Sequence, residues 1–159
     1  MKTFSVLDPQ NHITLKAKPL IQKDKSFSVI IELFYLDDKN KVKKGNALEF
    51  FLDDSDIDFI LYQYHHKLFP AEGYTLMRGR DGTARGFKIT HTPSKVTAGH
   101  ISITLASGTG PTKSNGFTSL KNVEEKIILN ITFEQAIKLF KYLERAVLVF
   151  SLKSEMEES

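Results

Sequence analysis

Apolar and polar residues alternate with a period of two through the first fifty positions. In KTFSVLD (residues 2–8) Phe4 and Val6 share a side, and in HITLKAK (12–18) Ile13, Leu15 and Ala17 oppose Thr14, Lys16 and Lys18. SFSVIIELFYL (26–36) sets Phe27, Val29, Ile31, Leu33 and Tyr35 on one face, and its other face is also apolar, as in a central strand. Such alternation predicts half-buried strands. DDKNK (37–41) turns the chain into a fourth strand, KGNALEFFL (44–52). The period then lengthens. Ser55 with Asp58 makes a capping-box pattern, and Ile57, Ile60, Leu61, Tyr64 and Leu68 follow at helical spacing until Pro70. A helix is expected over Asp56–Phe69.

The second half repeats the plan. Tyr74–Arg80 and Thr83–Thr90 flank Asp81-Gly82, the strongest short hairpin signal. HISITLAS (100–107) points Ile101, Ile103 and Leu105 inward, and EKIILNI (125–131) does the same with Ile127, Leu129 and Ile131. Thr132 with Gln135 opens a second helix, Phe133–Phe150, which carries Ile137, Phe140, Leu143 and Val147 down one side. Leu139, Tyr142, Ala146 and Leu148 spread its apolar surface over much of the circumference, so self-association through this helix is expected. The order is four strands and a helix, twice over: an α+β domain covering residues 1–152. Residues 106–121, rich in Gly, Ser and Thr, are expected to form a flexible loop, and the acidic residues 153–159 a disordered tail.

Composition narrows the chemistry. A chain of 159 residues with 41% hydrophobic and 26% charged residues can bury a proper core. Cysteine is absent, which removes disulfides and thiolate metal sites. No apolar run approaches the roughly 20 residues of a membrane helix, and no basic-then-apolar leader opens the sequence. A cytoplasmic protein without membrane contact or cofactor is expected. The net charge of +3 hides an alternation: residues 1–48 carry +4, 49–71 carry −4, 72–121 carry +5 and 122–159 carry −2. Two basic blocks of this kind can set up a field that attracts polyanions.

Several catalytic patterns fail on inspection. SGTGPTKS (107–114) ends like a phosphate-binding loop, but Ser107 and Thr112 stand where its two glycines belong. DDSDID (53–58) starts like a calcium loop, yet Phe59 and His65 replace the turn glycine and the bidentate glutamate. The same acids, with Glu124 or Glu125 nearby, could serve a magnesium-dependent nuclease. RGFKIT (85–90) lacks the second and third aromatics of an RNA-recognition strand. His65 and His66 are adjacent on a helix and diverge, and no Ser/His/Asp arrangement can be assembled.

The hairpin is more informative. The chain has four arginines against eighteen lysines, and Arg78, Arg80 and Arg85 all fall beside this one turn. A two-residue turn pairs Arg80 with Thr83, Arg78 with Arg85, Leu76 with Phe87 and Tyr74 with Ile89, all on one face. Arginine placed opposite arginine repels across the strands. Only Asp81 is local, so an external anion is the expected remedy, and the planar guanidinium suits phosphate; a tip splayed into solvent is the alternative. Basic strands (Lys16, Lys18, Lys23, Lys25, Lys41, Lys43, Lys44) interleave with Phe27, Phe34, Tyr35 and Phe87. Single strands are held by this combination of basic groove and aromatic platform. The expected contact set is Arg78, Arg80, Arg85, Lys88, Lys16, Lys18, Lys43, Lys44, Phe34 and Phe87.

The duplicated order resembles the Whirly family of single-stranded DNA-binding proteins, and the related Pur-type binders. KKGNALEF (43–50) is similar to the Whirly Lys-Gly-Lys-Ala-Ala-Leu motif through Lys44, Gly45, Ala47 and Leu48, with Asn46 in place of the second lysine and one alanine missing. The resemblance implies two antiparallel β-sheets, helices packing at a subunit interface in a dimer or tetramer, and single strands laid across the sheets. A non-catalytic single-stranded DNA-binding protein, with RNA as the other polymer, is therefore expected, in a replication, recombination or mobile-element setting. A protein-interaction or assembly module is the alternative, and a metal-dependent nuclease the third reading.

Overall fold

The alternating stretches form eight strands, and the two stretches of longer period form helices. In chain order these are β1 (Phe4–Asp8), β2 (Ile13–Ile21), β3 (Phe27–Leu36), β4 (Val42–Leu52), α1 (Asp54–His65), β5 (Leu76–Arg80), β6 (Thr83–Thr92), β7 (His100–Thr109), β8 (Asn122–Thr132) and α2 (Phe133–Glu158). The computed structural model describes residues 1–158 other than 22, 24, 25, 40 and 71, and for residues 42–46, 157 and 158 it describes the backbone alone. Two four-stranded sheets result, β1-β2-β3-β4 and β5-β6-β7-β8, with every neighbouring pair antiparallel.

Register explains the core. Leu15 lies opposite Leu33 and Ala17 opposite Ile31 in the first sheet. In the second, Phe87, Leu105 and Ile127 form one row and Ile89, Ile103 and Leu129 the next. These inner faces join one buried cluster, completed by Ile57 and Ile60 of α1 and by Phe140 and Leu143 of α2. Each such side chain contributes about 1.5–3 kcal/mol when fully buried, so the period-two faces hold the sheets together. A polar tie adds to this. Buried Asp8 accepts from the Asn130 amide of β8 at 3.0 Å and from the Asn11 side chain at 2.9 Å.

Helix α1 begins two residues before the expected start and ends four residues before the expected end. Two pairs at capping spacing compete, Asp53 with Asp56 and Ser55 with Asp58, and the one next to the strand prevails, because β4 runs to Leu52 and leaves only Asp53 as a link. Asp53 Oδ1 accepts from the Asp56 amide at 2.8 Å, and Asp56 Oδ2 accepts from the Asp53 amide at 2.9 Å. At the far end Lys67 adopts a φ of 56°, Leu68 N–H donates to the Gln63 carbonyl at 2.8 Å, and Lys67 N–H donates to that of Tyr64 at 3.3 Å. That pair of reversed bonds closes a helix before any proline is needed.

Helix α2 starts where its capping box predicts, with reciprocal Thr132 and Gln135 bonds of 3.0 and 3.1 Å. It does not stop at Phe150. Residues 151–158 contain no Gly, Pro or β-branched residue and continue the helix to Glu158, so the acidic segment expected as a disordered tail is its end. Its buried stripe is Ala136, Leu139, Phe140, Leu143 and Ala146, which joins the core of the chain's own sheets and α1, with Phe140 stacked on Tyr64 at 4.3 Å. Leu148, Leu152 and Met156, four residues apart, remain exposed on one side.

Candidate nucleic-acid interface

The hairpin has the expected register: Leu76 opposite Phe87, Arg78 opposite Arg85 and Arg80 opposite Thr83. Asp81 and Gly82 take φ values of 55° and 90°, the left-handed pair that a twisted two-residue turn needs. Tyr74 departs from expectation. It precedes β5 and packs over Gly86 on the opposite face, beside Ala84, Ala106 and Leu120, because glycine and alanine leave a shallow trough there.

The segment expected to be a flexible loop closes over that trough. Thr118 is fully buried; its amide donates to the Gly79 carbonyl at 3.1 Å, and its hydroxyl accepts from the Gly82 amide at 3.0 Å. A Cβ on Gly79 would lie 2.1 Å from the Thr118 carbonyl oxygen, so only glycine admits this contact. Short bridges pair Arg80 with Phe117 and Thr112 with Thr118. The glycines and threonines encode close packing here, and they hold the hairpin tip from behind.

From the front, two of the three arginines are tied to the other sheet. Arg78 lies over the Phe50 ring at 5.1 Å, donates to the Phe51 carbonyl at 3.1 Å, and pairs with Asp56 and, at 3.7 Å, with Asp53. Arg85 donates to the Glu49 carbonyl at 3.3 Å and approaches its carboxylate at 3.8 Å. The repulsion between Arg78 and Arg85 is thus relieved by acids of the β4–α1 junction, not by an external anion. Burial pushes the Asp56 carboxyl above its ordinary value, against the pull of the Asp53 amide and the Arg78 guanidinium. Arg80 has no ion pair among the described residues.

A cleft of about 800 Å³ opens on this face, lined by the three arginines, Ser107, Phe117 and Glu124. Phe117 is half-buried, and the Lys113 ammonium lies 5.8 Å from its ring. This aromatic is absent from the contact set expected from the sequence, because it sits in the stretch expected to form a flexible loop. Its signal was Phe117 itself, the single large apolar residue between Gly110 and Leu120.

The other expected contacts scatter. Phe87 is only 2% exposed and packs on Phe50 at 5.6 Å, so it is core and cannot stack a base. Phe34 is 4% exposed, with the Lys16 ammonium 5.4 Å from its ring. Lys88 shares the face of Gly86 and Thr90, opposite to Arg85. Lys16 and Lys18 line a cleft of about 470 Å³ on the outer face of the first sheet, where Lys18 pairs with Glu32 at 3.1 Å. The side chains of Lys43 and Lys44, and all of Lys25, lie outside the described residues. Glu32 and Ala47 also line a smaller cleft that shares Arg85 and Ser107 with the arginine cleft, so the two basic ends join across an acidic middle of Glu32, Glu49 and Glu125.

Of the acids that could serve a nuclease, Asp53 and Asp56 are engaged in the helix cap and with Arg78. Among the described residues no three His, Cys, Asp or Glu side chains are grouped to hold a metal ion, and no helix is long and apolar enough to cross a membrane.

No protein-family model and no curated protein matches the sequence. Solved structures do match the fold. WHY3 from Arabidopsis thaliana superposes with a TM-score of 0.62 at 9% identity, over 100% of this chain and 95% of that one. The plant transcriptional regulator PBF-2 gives 0.61 at 11% identity, over 99% of this chain and 89% of that one. The duplicated β-β-β-β-α order, closed into two antiparallel sheets with two helices, is therefore a distant Whirly-like fold.

Proposed function

We propose that the protein binds single-stranded nucleic acid, without catalysis, at the arginine hairpin and the cleft in front of it. The observation that carries this reading is Phe117, which lines a wide cleft together with Arg80 and has the Lys113 ammonium 5.8 Å from its ring. A half-buried ring with cations nearby offers a stacking surface for one base and partners for the adjoining phosphates. Lys16 and Lys18, at the other end of the chain of clefts, supply further phosphate contacts. DNA is the favoured polymer, on the fold shared with a transcriptional regulator, and an intracellular role in replication or recombination goes with it. Assembly into dimers or tetramers uses the exposed Leu148 and Leu152 side of α2. That same face also suits the alternative reading, an assembly module.

Fluorescence anisotropy with labelled single-stranded DNA, duplex and RNA of one length tests the proposal. Single strands should bind more tightly than duplex, and Phe117→Ala should weaken them by about 1–3 kcal/mol. The oligonucleotide should stay intact with magnesium present. Equal affinity for duplex, or no effect of Phe117→Ala, would count against the site; cleavage would revive the nuclease.

A further inference from the structure

One charge in the cleft runs against phosphate binding. Glu124 lines the same wall as Arg78, Arg80 and Arg85, yet it takes no ion pair among the described residues. Its placement comes from an irregularity of β8. Ser107 pairs with Glu125, but the next residue, Gly108, pairs with Val123, so Glu124 is the extra residue of a β-bulge. In regular pairing Glu124 would share the face of Lys126 and project away from Glu125. A bulge re-aims the side chain it carries, and this one sets Glu124 in the lining of the cleft. The bulge depends on Gly108, where a Cβ would meet the Asn122 carbonyl oxygen at 1.9 Å and the Glu124 amide nitrogen at 3.1 Å.

A carboxylate beside a stacking ring reads bases by their donors, because it can only accept. The bases differ on this point. Guanine alone shows two adjacent donors on its Watson–Crick edge, N1–H and N2–H, matched to the two oxygens of one carboxylate. Adenine and cytosine show an amino group next to a bare acceptor nitrogen. Thymine and uracil show a single N–H between two carbonyls, which a carboxylate repels. We propose that the cleft is a guanine subsite: the base stacks on Phe117, its N1–H and N2–H donate to Glu124, and Arg80 and Lys113 hold the adjoining phosphates. The inference rests on the nucleic-acid reading above and adds to it a base preference.

The test uses thymidine oligonucleotides carrying one central dG, dI, dA or dC, titrated by fluorescence anisotropy against the full chain and against Glu124→Gln. A single dG should tighten binding about tenfold over the other bases, the order expected of a paired base contact. Hypoxanthine keeps N1–H and loses the amino group, so dI should fall between dG and dA; this arm needs no mutant. Glu124→Gln should level the series, its melting temperature confirming the fold. Binding with no dG preference, or a Gln variant that tightens every oligonucleotide equally, overturns the subsite and leaves the nucleic-acid reading standing. Failure to bind any oligonucleotide overturns both.

Discussion

Arg78 offers the sharpest test of how the hairpin is held. Its guanidinium makes a charge-assisted bond to Asp56 whose loss costs about 1.5–3 kcal/mol when the partner is buried. The Asp56 side chain is 10% exposed, whereas that of Arg78 is 45% exposed. Solvent screening of the arginine brings the expected loss to the lower half of that range. The cation over Phe50 adds about 0.5–1 kcal/mol at a partly exposed site. Arg78→Ala should therefore cost about 2 kcal/mol, or about 4–8 °C in melting temperature for a chain of this size. A clamp reserved for phosphate would behave in the opposite way, since deleting one of two facing arginines would leave stability unchanged or raise it.

Acid dependence sharpens the test. Desolvation raises the Asp56 pKa above its ordinary 3.8, while the Asp53 amide and Arg78 lower it. A carboxyl whose folded pKa is raised binds its proton more readily in the folded state. Its contribution to stability therefore falls as pH climbs from the unfolded value through the folded one. Removing Arg78 takes away one lowering influence and pushes the folded pKa further up. The cost of Arg78→Ala should then be largest at neutral pH and shrink as pH falls through that window and Asp56 is protonated. Urea denaturation of Arg78→Ala, Asp56→Asn and the double variant across pH measures both effects, with a coupling of about 1 kcal/mol or more expected at pH 7. A parent-like stability for Arg78→Ala, or a loss that stays constant into acid, would refute the anchor and return Arg78 to the cleft as a free cation.

Three other outcomes follow from the same geometry. Arg80→Ala should leave the melting temperature alone yet lower the log–log salt slope of single-strand binding by about 0.7, the value for one phosphate contact; an unchanged slope removes Arg80 from the interface. Gly79→Ala forces a methyl group to 2.1 Å from the Thr118 carbonyl and should cost about 1–3 kcal/mol, as overpacking does; a neutral effect in thermal melting would show that the 110–121 segment does not hold the tip. Leu148→Glu with Leu152→Glu should reduce the sedimenting mass to that of a monomer, and a parent that is already monomeric at micromolar concentration defeats the assembly proposal.

Much of the fold was legible because it rests on local periodicity. Ile101, Ile103 and Leu105 alternate, Asp81-Gly82 demands a left-handed turn, and Thr132 with Gln135 caps a helix; each signal lies within a few residues. Two kinds of feature were not legible. The loop was misjudged because glycine and threonine are also what close backbone packing requires, and the contact between Gly79 and Thr118 spans 39 positions. The arginines were misjudged because their partners, Glu49, Asp53 and Asp56, belong to the other sheet and its helix. Asp53 and Asp56 also cap their own helix, so nothing local in the sequence points them toward Arg78. Phe87 shows the same limit: alternation puts it on the face of Arg85, but only sheet packing decides where along that face the core ends.

The clustering of arginine in a lysine-using chain follows from what Arg78 touches. Its guanidinium meets a carbonyl, a buried carboxylate and a second carboxylate while lying over an aromatic ring. A planar fork can do all of this at once, and a lysine ammonium, a point charge on a flexible stem, cannot stack and donate along fixed directions together. Arg85 repeats the pattern on Glu49 with a carbonyl and a carboxylate. Anchored in front by these two and behind by Thr118, the tip presents Arg80 and Phe117 on backbone that is already ordered. A group fixed in advance loses less conformational freedom when a ligand arrives, so more of its interaction energy is expressed as affinity. On the proposed reading Arg78 and Arg85 contribute to binding by fixing the tip that carries Arg80, not as phosphate contacts themselves.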